Sequence, residues 1–138
     1  MPHVVLQYTA NLETIVDMPA LCRDVAAVLV AQKDETGGPL FPPGGTRVLA
    51  YPAQVYAVAD GKDDYGFCYI NIRIAAGRSE ACKKRAGDAV LAKVQARFAQ
   101  AFEKNLIGVT IQIDESPGQV YDAKHSNLHP LFDKRRIV

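Results

Sequence analysis

The chain has 138 residues, 49% of them hydrophobic, so it can bury one substantial core but is too short for two typical domains, and we expect a single domain over residues 1–138. Its formal net charge of +1, with acidic and basic residues interspersed, excludes the basic excess that drives nonspecific nucleic-acid binding. Three cysteines without a CxxC pair argue against a disulfide framework, and a short, charge-flanked apolar stretch near the N-terminus argues against a signal peptide or membrane span, so we expect a cytoplasmic protein.

The first half of the chain begins with a predicted strand and helix. β-Branched residues favour a strand over residues 3–8. Asp17 and Pro19 are typical of a helix start, because aspartate can cap free amides and proline is tolerated in the first turn. Apolar residues then recur at helical spacing, which predicts a helix over residues 19–32.

A loop and a second strand follow. Residues 37–45 are rich in glycine and proline and predict a loop, because proline lacks an amide donor and fixed glycine is entropically costly. Residues 47–58 are rich in strand-forming side chains, although Pro52 interrupts them. Asp60 and Gly61 then predict a turn.

The second half shows clearer periodicity. Isoleucines alternate with polar residues over residues 67–75, the pattern of a half-buried strand. Ser79 and Glu80 are a plausible cap and acidic first turn for a long amphipathic helix. A final strand is predicted over residues 109–114, where apolar and polar side chains alternate again.

The two halves thus repeat the order strand, helix, strand. A helix that crosses between two strands of one sheet implies parallel pairing within each half. We therefore expect an α+β fold in which two β-α-β repeats form a four-stranded sheet with two helices on one face. The other face, carrying Tyr8, Tyr69 or the isoleucines, is then expected to pack against another subunit or a loop.

Pro2 is a candidate catalytic base. Removal of Met1 would leave a secondary amine, whereas an ordinary backbone nitrogen has no usable lone pair because of amide resonance. The ordinary pKa of an α-amino group is about 7.7–8.0, and burial or a nearby cation favours its neutral form, which suits general-base chemistry. On these residues alone, a disordered terminus without a chemical role is the more common case.

Two arginines are candidates for binding an anion. Arg78 lies between the third strand and the second helix, where free amides and the helix dipole favour negative charge, and its guanidinium can clamp a carboxylate. Arg47 leaves the Gly/Pro loop and is the weaker candidate, because nothing in the sequence defines its direction. A solvated surface arginine is the alternative interpretation of each.

Other patterns predict no site. His125 and His129 have the i, i+4 spacing of two metal ligands, but no further ligand follows at a recognisable distance and Pro130 ends the segment. Residues 60–64 lack the alternating oxygen ligands of a calcium loop, and residues 44–46 lack the lysine of a phosphate loop. We expect no metal and no organic cofactor.

Four pieces of sequence occur in an ordered arrangement that spans nearly the whole chain. They are Met1-Pro2-His3, the turn 59–61 followed by Asp64-Tyr65, the junction 76–79 and the tail 127–132. Together they resemble the 5-carboxymethyl-2-hydroxymuconate isomerase family of the tautomerase superfamily, whose fold is that of macrophage migration inhibitory factor. Each piece is weak alone, but their order and spacing, joined to the β-α-β repeat, are fairly specific.

The resemblance implies a homotrimer in which three sheets enclose a central barrel. It implies that Pro2 is the catalytic base and that Arg47 and Arg78 occupy the positions of arginines that hold an acidic keto or enol substrate. The expected reaction is a proton shift in an unsaturated 2-hydroxy or 2-oxo polycarboxylate, part of the catabolism of aromatic compounds. The segment 33–40 is longer than the family pattern and would alter the mouth of the pocket.

Two alternatives remain open at this point. One is a hydratase or decarboxylase of the same superfamily that acts on a small unsaturated or oxo acid with the same amine. The other is a trimeric ligand-binding or interaction protein with only vestigial tautomerase activity. Turnover of muconate-type substrates and of phenylenolpyruvate separates these cases.

Overall fold

The computed structural model describes residues 2–137; Met1, and with it the question of its removal, lies outside the described residues. Four strands and three α-helices make up the described part of the chain. In chain order they are β1 (His3–Thr9), α1 (Met18–Val30), β2 (Arg47–Ala53), β3 (Gly66–Ala75), α2 (Glu80–Lys104), β4 (Ile107–Ser116) and α3 (Leu128–Ile137).

The strands form one mixed sheet in the order β2-β1-β3-β4. β1 pairs with β2 in parallel, β3 pairs with β4 in parallel, and β1 and β3 are antiparallel. The predicted α+β repeat with parallel pairing inside each half is therefore confirmed. Its two helices, α1 and α2, contact each other, and Arg97 Nε donates to Asp24 Oδ2 across their contact at 2.6 Å.

The starts of both long helices are capped as the sequence predicts. The side chain of Asp17 accepts a hydrogen bond from the amide of Ala20 at 3.0 Å, and Ser79 Oγ accepts one from the amide of Cys82 at 3.2 Å. Each contact satisfies an amide that has no partner within its own helix. The caps therefore define where each helix leaves the preceding chain.

The core lies between the sheet and these two helices, and it corrects one expectation. Tyr8 and the isoleucines of β3 belong to this helix-covered core, with Tyr8 only 5% exposed and Ile70 fully buried. Tyr69, which alternates with them, lies on the open face. The open face is therefore more polar than expected, and Tyr69 Oη donates there to Gln112 Oε1 at 2.7 Å.

Apart from shifts of one or two residues at element ends, one strand and one helix differ from the sequence prediction. β2 ends at Ala53 instead of continuing to residue 58, because Pro52 offers no amide and the strand lies at the edge of the sheet. The sequence does not predict α3, because Pro130 is typical of a segment that ends rather than of a helix interior. Pro130 occupies the third position of that helix, where no internal amide bond is required and proline is tolerated. No helix within residues 2–137 is long and apolar enough to cross a membrane.

Candidate active site

A row of ionisable side chains crosses all four strands at one end of the sheet. The strand register pairs Arg47 with His3, His3 with Arg73, and Arg73 with Asp114. We call these four residues the charged row. In β1 and β3 they alternate with buried core positions, so they face the side of the sheet that α1 and α2 leave uncovered.

The direction of Arg47 is defined by two side-chain hydrogen bonds. Its Nε donates to Nδ1 of His3 at 2.9 Å, and its Nη1 donates to the carbonyl of Gly45 at 3.0 Å. Burial, then the charges of Arg47 and Arg73, lower the pKa of His3 below its ordinary value of 6.5. His3 is therefore neutral near pH 7 and can accept the bond from Arg47.

A cavity of about 420 Å³ lies at this end of the sheet and is called the charged cavity below. Three members of the charged row line it together with Pro42, the end of β3 and the C-terminal segment. Its lining residues are His3, Pro42, Arg47, Arg73, Ile74, Ala75, Ser116, Gln119, Asp122, Lys124 and His129. Asp122 accepts a hydrogen bond from Lys124 Nζ at 2.9 Å, so the charges of Arg47 and Arg73 remain in excess and suit an anionic ligand.

Pro2 is buried directly before β1 and is not itself among the residues that line this cavity, although the next residue, His3, is. Its carbonyl accepts a hydrogen bond from the backbone amide of Arg47 at 3.3 Å. The antiparallel register, continued by one residue, sets Pro2 opposite Ile74, and both His3 and Ile74 line the cavity. The structure thus brings together two of the three residues predicted from the sequence, Pro2 and Arg47.

Arg78 lies behind the wall of the cavity and is not among its lining residues. Its Nε and Nη1 donate to the carbonyls of Leu40 and Ala75, each at 3.0 Å, and its guanidinium carbon lies 4.8 Å from the centre of the Phe41 ring. Burial lowers the pKa of Arg78, and the charge of Glu115 opposes that shift. Arg78 therefore binds the last residue of β3 and places a positive charge at that strand end, as the sequence predicts.

The sequence predicts His3 only as the next candidate base after Pro2, and it does not predict Arg73 as a site residue. The alternation of β3 did place Arg73 on the polar side, but its proximity to His3 depends on pairing between strands that are distant in the chain. The pair His125 and His129 does not share a helical turn, because α3 begins at Leu128. Within the described residues, no group of three or more His, Cys, Asp or Glu side chains could hold a metal ion.

A second cavity, of about 790 Å³, lies at the opposite end of the sheet and is called the apolar cavity below. Its lining is mainly aromatic and aliphatic and includes Tyr8, Tyr56, Phe67 and Leu106. It carries no Asp, Glu, Lys, Arg or His. Acid–base chemistry on a charged substrate therefore points to the charged cavity.

Comparison with known proteins identifies relatives of this chain. The model of the family described as 5-carboxymethyl-2-hydroxymuconate isomerase matches residues 2–132. A 5-carboxymethyl-2-hydroxymuconate Delta-isomerase of Escherichia coli is 30% identical over 132 residues, which cover 96% of this chain and 99% of the relative.

Solved structures show the same relationship. A crystal structure of a 5-carboxymethyl-2-hydroxymuconate delta-isomerase matches with a TM-score of 0.89 and 45% identity, covering 96% of this chain and 93% of that one. The isomerase of Deinococcus radiodurans R1 matches with a TM-score of 0.83 and 33% identity, covering 95% and 93%.

The fold extends to more distant proteins. A macrophage migration inhibitory factor-like protein of Entamoeba histolytica, 12% identical, matches with a TM-score of 0.58 over 91% of this chain and 96% of that one, which shows the fold alone. The expected tautomerase-type fold is confirmed by this likeness. With the family model matching almost the entire chain and relatives at 30% identity or more, this protein belongs to the 5-carboxymethyl-2-hydroxymuconate isomerase family.

Proposed function

We propose that the protein isomerises 5-carboxymethyl-2-hydroxymuconate by moving a proton, with the amine of Pro2 as the base. The observation that carries this proposal is the placement of Pro2, buried at the start of the central strand and hydrogen-bonded through its carbonyl to Arg47 beside a cavity with excess positive charge. Of the groups at this end of the sheet, only the amine of a processed Pro2 has an ordinary pKa of about 7.7–8.0.

The proton shift follows from the conjugation of the substrate. In a 2-hydroxymuconate the hydroxyl oxygen is conjugated with two C=C bonds. The neutral amine removes the hydroxyl proton and leaves a dienolate, whose negative charge is spread along the conjugated carbons. Return of a proton at C5 leaves a 2-oxo acid with one C=C bond, so atoms and charge balance without a cofactor. A positioned base contributes about 10²–10⁴-fold to such a step.

The arginines bind the substrate and stabilise the dienolate. The substrate carries three carboxylates, two from the muconate chain and one from the carboxymethyl group. Arg47 and Arg78 are proposed to hold them, Arg47 from the cavity lining and Arg78 from behind its wall, and Arg73 is a third cation that lines the cavity. One well-placed donor to a developing anion contributes roughly 10²–10³-fold. A dienolate also places negative charge near the amine after proton transfer, which favours the resulting ammonium.

We also propose that the protein is a homotrimer in the cytoplasm. The open face of the sheet exposes large side chains, with Leu49 40% and Tyr51 53% exposed, and the outer edges of β2 and β4 pair with no other strand of the described chain. Closed cyclic assembly covers such a face and satisfies strand edges. The three free cysteines support a reducing compartment. Sedimentation velocity at micromolar concentration tests the trimer, and a monomer would contradict it.

Ultraviolet assays of the mature protein test the reaction. Loss of the dienol absorption of 5-carboxymethyl-2-hydroxymuconate, with turnover comparable to ordinary enzymes, is the expected result. Phenylenolpyruvate serves as a simpler enol with one carboxylate and should turn over less efficiently. Hydration or release of carbon dioxide would support a hydratase or decarboxylase instead. Trace turnover of every enol would support a ligand-binding protein.

A further inference from the structure

We propose that His3 is a positioning residue that holds the guanidinium of Arg47 in the orientation that binds a substrate carboxylate. This inference rests on the proposed function and concerns the same cavity. It assigns a role to a side chain that touches Arg47 rather than the reacting atoms.

The first argument is the geometry of the Arg47 side chain. His3 Nδ1 accepts from Nε at 2.9 Å, and the Gly45 carbonyl accepts from Nη1 at 3.0 Å. Two anchors on one planar group determine both its position and its plane. They occupy Nε, so a carboxylate cannot bind along the Nε side of the guanidinium. The second hydrogen of Nη1 and both hydrogens of Nη2 remain for the substrate.

The second argument is the link between Arg47 and the proposed base. The backbone amide of Arg47 donates to the carbonyl of Pro2 at 3.3 Å, while the side chain of the next residue, His3, holds the guanidinium. Two consecutive residues therefore bind the same arginine, one through its main chain and one through its side chain. The base and the carboxylate-binding group are in this way held at a defined separation, which is what a bound substrate requires.

The third argument is the protonation state that this contact demands. Nδ1 accepts a bond only when it carries no proton, so the ring must be neutral with its proton on Nε2. The charges that face His3 are Arg47 on β2 and Arg73 on β3, with Lys124, His129 and Asp122 across the cavity. On β4, Asp114 is paired in register with Arg73. Burial and the two arginines keep the pKa of His3 below 6.5, so the acceptor state persists at neutral pH.

Three variants of His3 and Arg47 test the proposal kinetically. In His3→Asn, the amide oxygen lies near the place of Nδ1 and can still accept from Arg47, whereas His3→Leu removes the acceptor. We expect His3→Leu to lower kcat/KM about 10- to 100-fold, mostly through KM, and His3→Asn to recover most of this loss. In an Arg47→Ala background, His3→Leu should cause no further loss.

Gln7→Leu is the matched control. Gln7 lies on the open face of the same strand but lines the apolar cavity, so kcat/KM should stay unchanged.

A spectroscopic measurement on the wild-type protein does not depend on any variant folding. Nitrogen-15 NMR should show the His3 ring with its proton on Nε2 and a pKa below 6.5. Arg47→Ala should raise that pKa, because of the two neighbouring guanidinium charges that of Arg47 lowers it more.

Several results would overturn the inference. They are equal kcat/KM for wild type and His3→Leu, equal losses in His3→Leu and His3→Asn, an additive double variant, or a proton on Nδ1. These results leave the proposed function intact as long as Arg47→Ala itself lowers kcat/KM. If a protein with a verified blocked Pro2 still isomerises the substrate, the proposed function fails instead.

Discussion

The cavities at the two ends of the sheet differ in size, charge and covering. The apolar cavity, about 790 Å³, is the larger and is lined without a charged side chain, whereas the charged cavity measures about 420 Å³ and is lined by two arginines, a lysine, an aspartate and two histidines. A carboxylate moved into an apolar cavity loses its hydration without gaining a partner, which costs several kcal/mol. For an acidic substrate, the smaller cavity is therefore the better site, and volume alone would select the wrong end.

The coverings of the two ends also differ. α3 packs on residues 43–45 at the charged end, closely enough that a Cβ atom added to Gly44 would lie 2.9 Å from the Cα of His129. At the apolar end, Val55 is 95% and Leu106 is 63% exposed. The chain thus encloses its charged cavity with its own C-terminal segment and leaves apolar side chains uncovered at the other end.

The largest predicted effect comes from blocking the amine at the charged end. A protein that retains Met1 carries an amide at Pro2 and should lose about 10²–10⁴-fold in turnover, while sedimentation and circular dichroism stay unchanged. In the processed protein, kcat/KM should rise with pH through the amine pKa, because only the deprotonated amine is a base. Pro2→Ala should keep part of the activity, since a primary amine remains.

Undiminished turnover by a mass-verified Met1-retaining protein would exclude the Pro2 amine as the base. His3 would then be the next base to test.

Removal of the arginines should have the second largest effect. Arg78→Ala is expected to lower kcat/KM roughly 10²–10³-fold, and more than Arg47→Ala does, because it removes a charge and also the bonds to the Leu40 and Ala75 carbonyls. Arg78→Lys keeps the charge and should recover only part, as lysine cannot bridge both carbonyls and stack on Phe41. Steady-state kinetics of the three variants decide the order, and full activity of Arg78→Ala would show that this arginine has no part in binding.

A smaller effect is expected from opening the cover of the charged cavity. Gly44→Ala brings a methyl group against the backbone of His129 and should lower the free energy of unfolding by about 1–3 kcal/mol, while proteolysis after Ser116 becomes faster. Gly87→Ala, within α2, is the matched control. Its Cβ would lie 3.4 Å from Cδ1 of Ile113 on β4, and the higher helix propensity of alanine than of glycine offsets this contact. Thermal unfolding and limited proteolysis report both changes; equal behaviour of the two variants would mean that α3 does not depend on this close approach.

The smallest predicted effects are opposite pH dependences at the two ends. Burial and the bond to Glu13 raise the pKa of Tyr8, in the apolar cavity, to about 12. The unfolded state then loses the phenol proton first, near pH 10, so the free energy of unfolding falls as pH rises from about 10 to 12. The pKa of His3 is lowered, so the unfolded state binds its proton first and the free energy of unfolding falls as pH decreases below 6.5.

Urea unfolding of Tyr8→Phe and His3→Asn, each against wild type, checks these signs. Tyr8→Phe should reduce only the decrease in the free energy of unfolding between about pH 10 and 12. His3→Asn should reduce only the decrease below pH 6.5. If the free energy of unfolding depended on pH in the same way in both variants, the assignment of the two pH dependences to Tyr8 and His3 would be wrong.

Local patterns were enough to predict most of the fold. The alternation over residues 67–75 and the caps at Asp17 and Ser79 depend on neighbours within a few residues, and the structure confirms all three. The predicted extension of the second strand and the missing α3 were wrong because both depend on distant contacts. β2 ends as an edge strand, and α3 packs on the loop at Gly44.

The candidate site was predictable only in part. Pro2 could be proposed as a candidate because a terminal secondary amine has its own chemistry wherever the chain folds. Arg78 could be proposed because a strand-to-helix junction is a local feature, but the structure places it behind the cavity wall. The direction of Arg47 could not, since it depends on His3, forty-four positions away. Arg73 was visible as a polar strand residue, but not as a neighbour of His3.

The sequence by itself determined the number and order of the main strands and helices, the parallel pairing within each half and the presence of a possible amine base, because these follow from backbone chemistry and periodicity. Only the tertiary structure decided which face is covered and which charges meet. The register between β2, β1, β3 and β4 places Arg47, His3, Arg73 and Asp114 in one row. A shift of one residue in any strand would turn its member to the opposite face, so the charged cavity exists only in the folded sheet.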